Sequence, residues 1–173
     1  MDPTLTDVTY EFRRHQALAE RALGALSDEA FFRRPSEVVN PPALIVKHLA
    51  GNLQSRWGNV LVGDGDSPQR NRDQEFVLEP ADTRETLMAR WTSSWQTLFA
   101  TLTELESVDL GRTITIRGEA HTLRQALLRG LTHAAYHVGQ ILYLARWLEP
   151  QGEWLTIAPG KSAEHRPGYR RGA

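Results

Sequence analysis

The sequence predicts an all-α protein, a four-helix bundle with a small β-hairpin before its last helix. Two observations carry this reading. Four segments of roughly 20 residues repeat apolar side chains at three- and four-residue intervals, and almost no segment alternates as a strand would. The stretches between them hold the glycine, proline and aspartate residues that interrupt helices.

The first helix is expected from about Thr4 to Leu26, where Val8, Phe12, Ala19, Ala22, Leu23 and Leu26 form one stripe. Ser27 then reads as the cap of a short extra turn carrying Phe31 and Phe32. Proline is accepted in a first helical turn, so the second helix should start near Asn40-Pro41-Pro42 and run to about Val62. Its inner stripe mixes Ile45, His48 or Leu49, Asn52, Arg56 or Trp57, and Val60, which places polar groups on a face meant for the core. From Gly63 to Asp82 the chain is a long polar connection, read here as an ordered surface wrap rather than a lid. Arg70, Arg72, Asp73 and Glu75 would pair within it as exposed ions, each pair contributing on the order of 0 to 1 kcal/mol.

The third helix should span about Thr83 to Glu106, with Leu87, Trp91, Leu98, Leu102 and Leu105 inward and Asp82 or Thr83 as cap. Alternation over Arg112 to Ile116 and a glycine in Arg117-Gly118-Glu119-Ala120 predict the hairpin. Thr122 and Gln125 stand in capping-box spacing, so the fourth helix should begin at Leu123 and end near Leu148, ahead of Pro150. Residues 1–150 would then form the bundle, and residues 151–173 an irregular segment packed on it or partly flexible.

Composition removes several classes of function. The chain has 173 residues, 40% hydrophobic and 24% charged, which is ordinary for one globular domain. A net charge of −1 argues against nucleic acid, and the one basic cluster, Arg166 to Arg171, reads as a solvated end. No apolar run reaches the ~20 residues of a membrane span, and the first residues do not resemble a signal peptide; a cytoplasmic location is expected. Cysteine is absent, so any metal must be held by His, Asp or Glu.

The fourth helix carries His133-Ala134-Ala135-Tyr136-His137. Residues four apart lie one above the other on a helix, the spacing at which two imidazoles meet one metal ion. Ala134, Ala135 and Gly139 leave room beside them, and His48 lies on the mixed face of the second helix. A lone histidine on an apolar stripe is usually a core residue; three that converge point to a divalent cation. Such a set leaves coordination positions open, as catalytic sites do, and imidazole suits zinc, nickel, copper or iron alike. The chain has no HExxH, so the general base and every other catalytic residue are unassigned. His15 could line the same cavity but fits a structural or surface role better, while His121 and His165 read as solvated.

These residues resemble the DinB/YfiT-like superfamily of metal-dependent proteins, whose pattern is one histidine on the second helix and HxxxH on the fourth. The likeness extends to Gly51 through Trp57, Gly63-Asp64-Gly65, Arg70 through Phe76, Tyr136 through Ile141 and Trp154 through Ser162, which together look like an uncharacterised branch of that superfamily. It implies an up-down-down-up bundle, a homodimer, and one divalent metal, zinc or nickel, on His48, His133 and His137. Some relatives transfer low-molecular-weight thiols to electrophiles, and others are called hydrolases. The expectation is therefore a metal-dependent enzyme that activates a thiol or water toward a small electrophilic substrate, with Asn52 orienting that substrate and Arg56 neutralising its carboxylate. The alternative is a non-catalytic, dimeric metal-binding module of a stress response.

Overall fold

The computed structural model describes residues 2–66 and 70–164, so His165 and the run Arg166 to Arg171 lie outside the described residues. Four long helices dominate: α1 (Pro3–Gly24), α3 (Pro42–Trp57), α4 (Arg84–Glu104) and α5 (Leu123–Leu148); α2 (Asp28–Phe32) is a single short turn. Among the described residues no helix is long and apolar enough to cross a membrane.

Every helix start except that of α3, which follows Pro41 without a side-chain cap, is capped from the sequence beside it. Asp2 accepts from Thr4 N–H ahead of α1, and Ser27 accepts from Ala30 N–H ahead of α2. Thr83 with Thr86, and Thr122 with Gln125, form reciprocal capping boxes at α4 and α5. Each such cap satisfies amide groups that the first helical turn leaves without partners. Asp82, the other candidate for the α4 cap, is drawn away to Lys47, 2.6 Å from its Nζ, and to Glu79 N–H at 2.9 Å.

The expected stripe of α1 is buried throughout, with Phe12, Ala19 and Ala22 fully inside. Helix α3 is buried on all sides from Pro42 to Ala50, because it lies between α4 and α5 with α2 over its start. It stops at Trp57, short of the expected Val62. Gly58 and Asn59 are weak helix formers, and Val62 is 87% exposed with nothing to pack against, so the chain turns there instead.

Hydrogen bonds and ring contacts fix the helix directions. Lys47 meets Asp82 near the start of α4, Gln54 meets Thr97, and Thr101 donates to Trp57 O, so α3 and α4 run parallel. Arg84 donates to Leu23 O and Leu26 O while Arg13 lies over Phe99, so α1 and α4 are antiparallel. Ser27 and Arg33 reach Glu149 and Leu148 O, which places the ends of α1 and α5 together. The order is up-down-down-up, and the long connection from α3 to α4 is what lets two consecutive helices point the same way.

Strands β1 (Thr113–Ile116) and β2 (Glu119–Thr122) pair antiparallel, with Ile116 opposite Glu119. The turn between them holds Arg117 at φ 55° and Gly118 at φ 75°, the two left-handed positions of a tight hairpin turn. Arg117 would avoid that conformation if free. Asp64, from the connection after α3, accepts from both turn amides at 2.8 and 2.9 Å and holds it there. The tail folds back as Arg146 donates to Pro150 O and Gly152 O and lies 4.3 Å from the Trp154 ring centre.

Candidate metal centre and its cavity

His48 stands in the middle of α3, and His133 and His137 one turn apart on α5, which crosses α3 in the opposite direction. Gly130 permits that crossing, since a Cβ there would lie 2.9 Å from Cζ2 of Trp57. The three rings meet: Nε2 of His133 is 3.3 Å from Nε2 of His48 and 3.2 Å from Nε2 of His137. The expected trio is thus one cluster, whose ligand atoms all lie within 4.8 Å of one another.

Protonation shows what the cluster is suited to hold. His48 Nδ1 faces the Glu75 carboxylate at 2.8 Å, an acceptor only, so Nδ1 carries a proton and Nε2 points at the cluster. His137 Nδ1 likewise faces Gln140 Oε1 at 2.9 Å. Burial, reinforced by the charges of His137 and His48, pushes His133 down to about 3. Burial also lowers His137, against the hydrogen bond it donates to Gln140. The Nε2 atoms of all three rings therefore converge on one point, an arrangement that a shared cation suits. Nitrogens bound at 2.0–2.1 Å to one tetrahedral centre lie about 3.3 Å apart, which the spacings of His133 to His48 and to His137 match. The residues present could hold a metal ion. His133 Nδ1 is buried with no hydrogen-bond partner among the described residues, so this ring lacks the orienting acceptor its neighbours have.

Glu75 is the site residue that sequence reasoning missed, and it corrects the reading of the connection after α3. The segment does lie over the surface, with Asn71 to Gln74 exposed, but its 3₁₀ turn, Asp73–Phe76, sends one side chain inward. Its Glu75 is buried, and Phe76 stacks on the His48 ring at 4.7 Å. Arg70 grips both Glu75 oxygens, at 2.7 and 2.8 Å, in a pair whose side chains are 6% and 9% exposed. The expected exposed pairing within the loop is therefore a buried fork serving His48. Burial alone would raise the Glu75 carboxyl, but Arg70 and His48 outweigh it and hold it below its ordinary value. Gly51 makes the space, since a Cβ there would clash with the Glu75 carboxylate. With its oxygens committed to His48 and Arg70, Glu75 orients a ligand and is not a free base.

Beside the imidazoles lies a cavity of about 470 Å³. Asn52 and Arg56, the two residues expected to meet a substrate, line it together with His48 and His133. Arg56 is buried and donates from Nε to Gly65 O at 2.8 Å, and burial lowers its pKa, with Arg129 adding to the shift. His15 is spent on Glu11 O of its own helix, and His121 faces Arg129 from the hairpin; neither joins the cluster.

Known proteins supply the remaining comparison. Residues 2–161 match a family described as a protein of unknown function (DUF1572). Among solved structures, a DinB-like protein from Bacillus subtilis, YjoA, is similar with a TM-score of 0.66 and 18% identity, over 87% of this chain and 96% of that one. A conserved protein from Enterococcus faecalis is similar with a TM-score of 0.61 and 14% identity, over 84% and 96% respectively. At such identities the likeness concerns the fold. No curated protein matches the sequence. The chain belongs to the DUF1572 family, and its bundle is DinB-like.

Proposed function

We propose that this protein is a metal-dependent enzyme in which His48, His133 and His137 hold one divalent ion, zinc or nickel, and a thiol or water is activated there for attack on a small electrophile. One observation carries the proposal: three imidazoles converge at the edge of a cavity of about 470 Å³, so a cation held by them would face a chamber of substrate size. A bound divalent ion supplies Lewis acidity, which lowers the pKa of a thiol or water and strengthens it as a nucleophile at neutral pH.

The chain's own residues do the rest. Glu75 and Gln140 keep the protons of His48 and His137 on Nδ1, leaving Nε2 free to ligate. Phe76 covers one face of His48 and limits water on that side. Asn52, one turn beyond His48 on the cavity wall, is positioned to orient a substrate, and Arg56 to neutralise a carboxylate on it.

The same proposal includes a homodimer. Tyr136, Tyr143 and Trp147 share the outer face of α5 and are 64%, 72% and 56% exposed, an apolar stripe suited to a second copy.

Elemental analysis of protein purified without added metal tests the centre. Wild type should carry close to one zinc or nickel per chain, and the triple alanine variant of His48, His133 and His137 none. Turnover of a chromogenic electrophile with added thiols should then exceed the His133→Ala background. Metal content equal in the two proteins would sink the centre; a loaded centre with no turnover above background would leave a metal-binding module instead.

A further inference from the structure

The cavity beside the imidazoles is lined by five arginines: Arg56, Arg70, Arg72, Arg117 and Arg129. Among the described residues no aspartate or glutamate lines it. The two carboxylates within ion-pair reach are already engaged, Glu75 with Arg70, and Asp66 with both Arg70 and Arg117. Arg56, Arg72 and Arg129 have no carboxylate partner among the described residues. Arg72 instead lies over the Phe76 ring, 5.1 Å from its centre, and Arg129 faces His121.

Arg56 is the informative member. Its side chain is 6% exposed, and its direction is set by the bond from Nε to Gly65 O. A buried guanidinium with no carboxylate in direct contact is unfavourable, and although Asp66 attracts it from a distance, three further arginines, Arg129, Arg70 and Arg117, add repulsion. The backbone adds to the pattern. Arg117 is held in the left-handed region by Asp64, and its Nε is 2.6 Å from Asp66 Oδ2, so the turn is kept strained in a form that sets a guanidinium at the cavity wall. Among the described residues no carboxylate contacts Arg56 or Arg129 directly, which leaves both guanidinium groups open to an added anion. The guanidinium fork matches the two coplanar oxygens of a carboxylate or phosphate.

We propose that the cavity is an oxyanion subsite, in which Arg56 and Arg129 bind the carboxylate or phosphate group of a small acidic substrate and direct its other end toward His48, His133 and His137. The direction of that other end rests on the metal-dependent reading above; the oxyanion subsite itself does not. The volume, about 470 Å³, suits a metabolite-sized acid and excludes a polymer.

The test is a titration of metal-free, isotope-labelled full-length protein, following the arginine Nε–H resonances by NMR. One arm uses inorganic phosphate, the other succinate, and sodium chloride at matched ionic strength is the control. Saturable shifts at Arg56 and Arg129 in one arm, at concentrations about tenfold below those of chloride, are expected. The arm that binds more tightly identifies the group as phosphate or carboxylate. Arg129→Ala, on an exposed side chain, should weaken binding on the order of tenfold and keep the fold; Arg56→Lys should weaken it while keeping the charge. Shifts that never saturate, that chloride reproduces, or that persist unchanged in both variants would overturn the subsite. His133→Ala separates the two readings, because it should lose metal and retain the anion. Failure of metal loading with the anion still bound defeats only the proposed enzyme, and the reverse defeats only the subsite.

Discussion

At His48 the two ring nitrogens have separate tasks: Nδ1 donates to Glu75, and Nε2 turns toward His133. This arrangement depends on Gly51, whose missing side chain is the space the Glu75 carboxylate fills. Acceptors behind a ligating histidine typically contribute 10- to 100-fold to metal affinity. Glu75→Gln should therefore weaken zinc binding by roughly 10- to 100-fold in a competitive chelator titration, with the helical signal in circular dichroism unchanged. Gly51→Ala should weaken it at least as much by expelling the carboxylate, and lower stability by about 1–3 kcal/mol through overpacking. Wild-type affinity in both variants would show that the Arg70–Glu75 fork does not support the centre. None of this could be read from the sequence, because no periodicity links Glu75 to a histidine 27 positions earlier. Gln140 differs in kind, since three residues along the same helix place it beside His137.

Between elements, the buried ion pair of Lys47 and Asp82 joins the first half of α3 to the approach of α4. Lys47 also donates to Val77 O at 2.8 Å, which anchors the connection just past Glu75 and Phe76. The Asp82 side chain is fully buried and that of Lys47 9% exposed, so removing the lysine strands a charge. Lys47→Met should cost about 3–5 kcal/mol in urea denaturation, and adding Asp82→Asn should recover part of it. A loss under about 1 kcal/mol would mean that the exposed Arg90, 3.5 Å from Asp82, suffices as partner. Helix α4 also shows where periodicity underestimates burial. Leu87, Trp91, Leu98, Leu102 and Leu105 are inside as expected, but so are Ser94 and Trp95. Trp95 packs edge-on to Phe12 at 6.2 Å and to Trp91 at 5.5 Å. A helix that touches two neighbours buries a wider face than one stripe indicates.

For the molecule as a whole, acid should act through these same carboxylates. Burial raises both Asp82 and Glu75, yet Lys47 in one case and Arg70 with His48 in the other pull each below its ordinary value. A carboxyl with a lowered folded pKa contributes stability that is present above its unfolded value, about 3.9 for Asp and 4.3 for Glu, and is lost as pH falls through the folded value. Stability of the metal-free protein should thus hold from neutrality to about pH 5 and fall below about pH 4. Glu75→Gln should make that fall shallower; an unaltered acid limb would show that Glu75 titrates alike in the folded and unfolded chain. The proposed dimer is tested at this scale too. Sedimentation should give a dimer for wild type and a monomer for Tyr143→Glu with Trp147→Glu, whereas a wild-type monomer ends that part of the proposal.

From the sequence alone followed the number of long helices, the caps of α2, α4 and α5, the hairpin and the three candidate ligands, because helix periodicity, capping chemistry and the four-residue spacing of His133 and His137 are local properties. The tertiary structure decided where α3 ends, that α3 and α4 run parallel, that His48 reaches the other two rings, and that the connection after α3 sends Glu75 into the bundle. Those outcomes depend on groups far apart in the chain sharing one buried volume: Glu75 in the space left by Gly51, Trp57 against Gly130, and five arginines around one cavity. Packing and charge compensation of that kind act through space, and the order of residues does not record them.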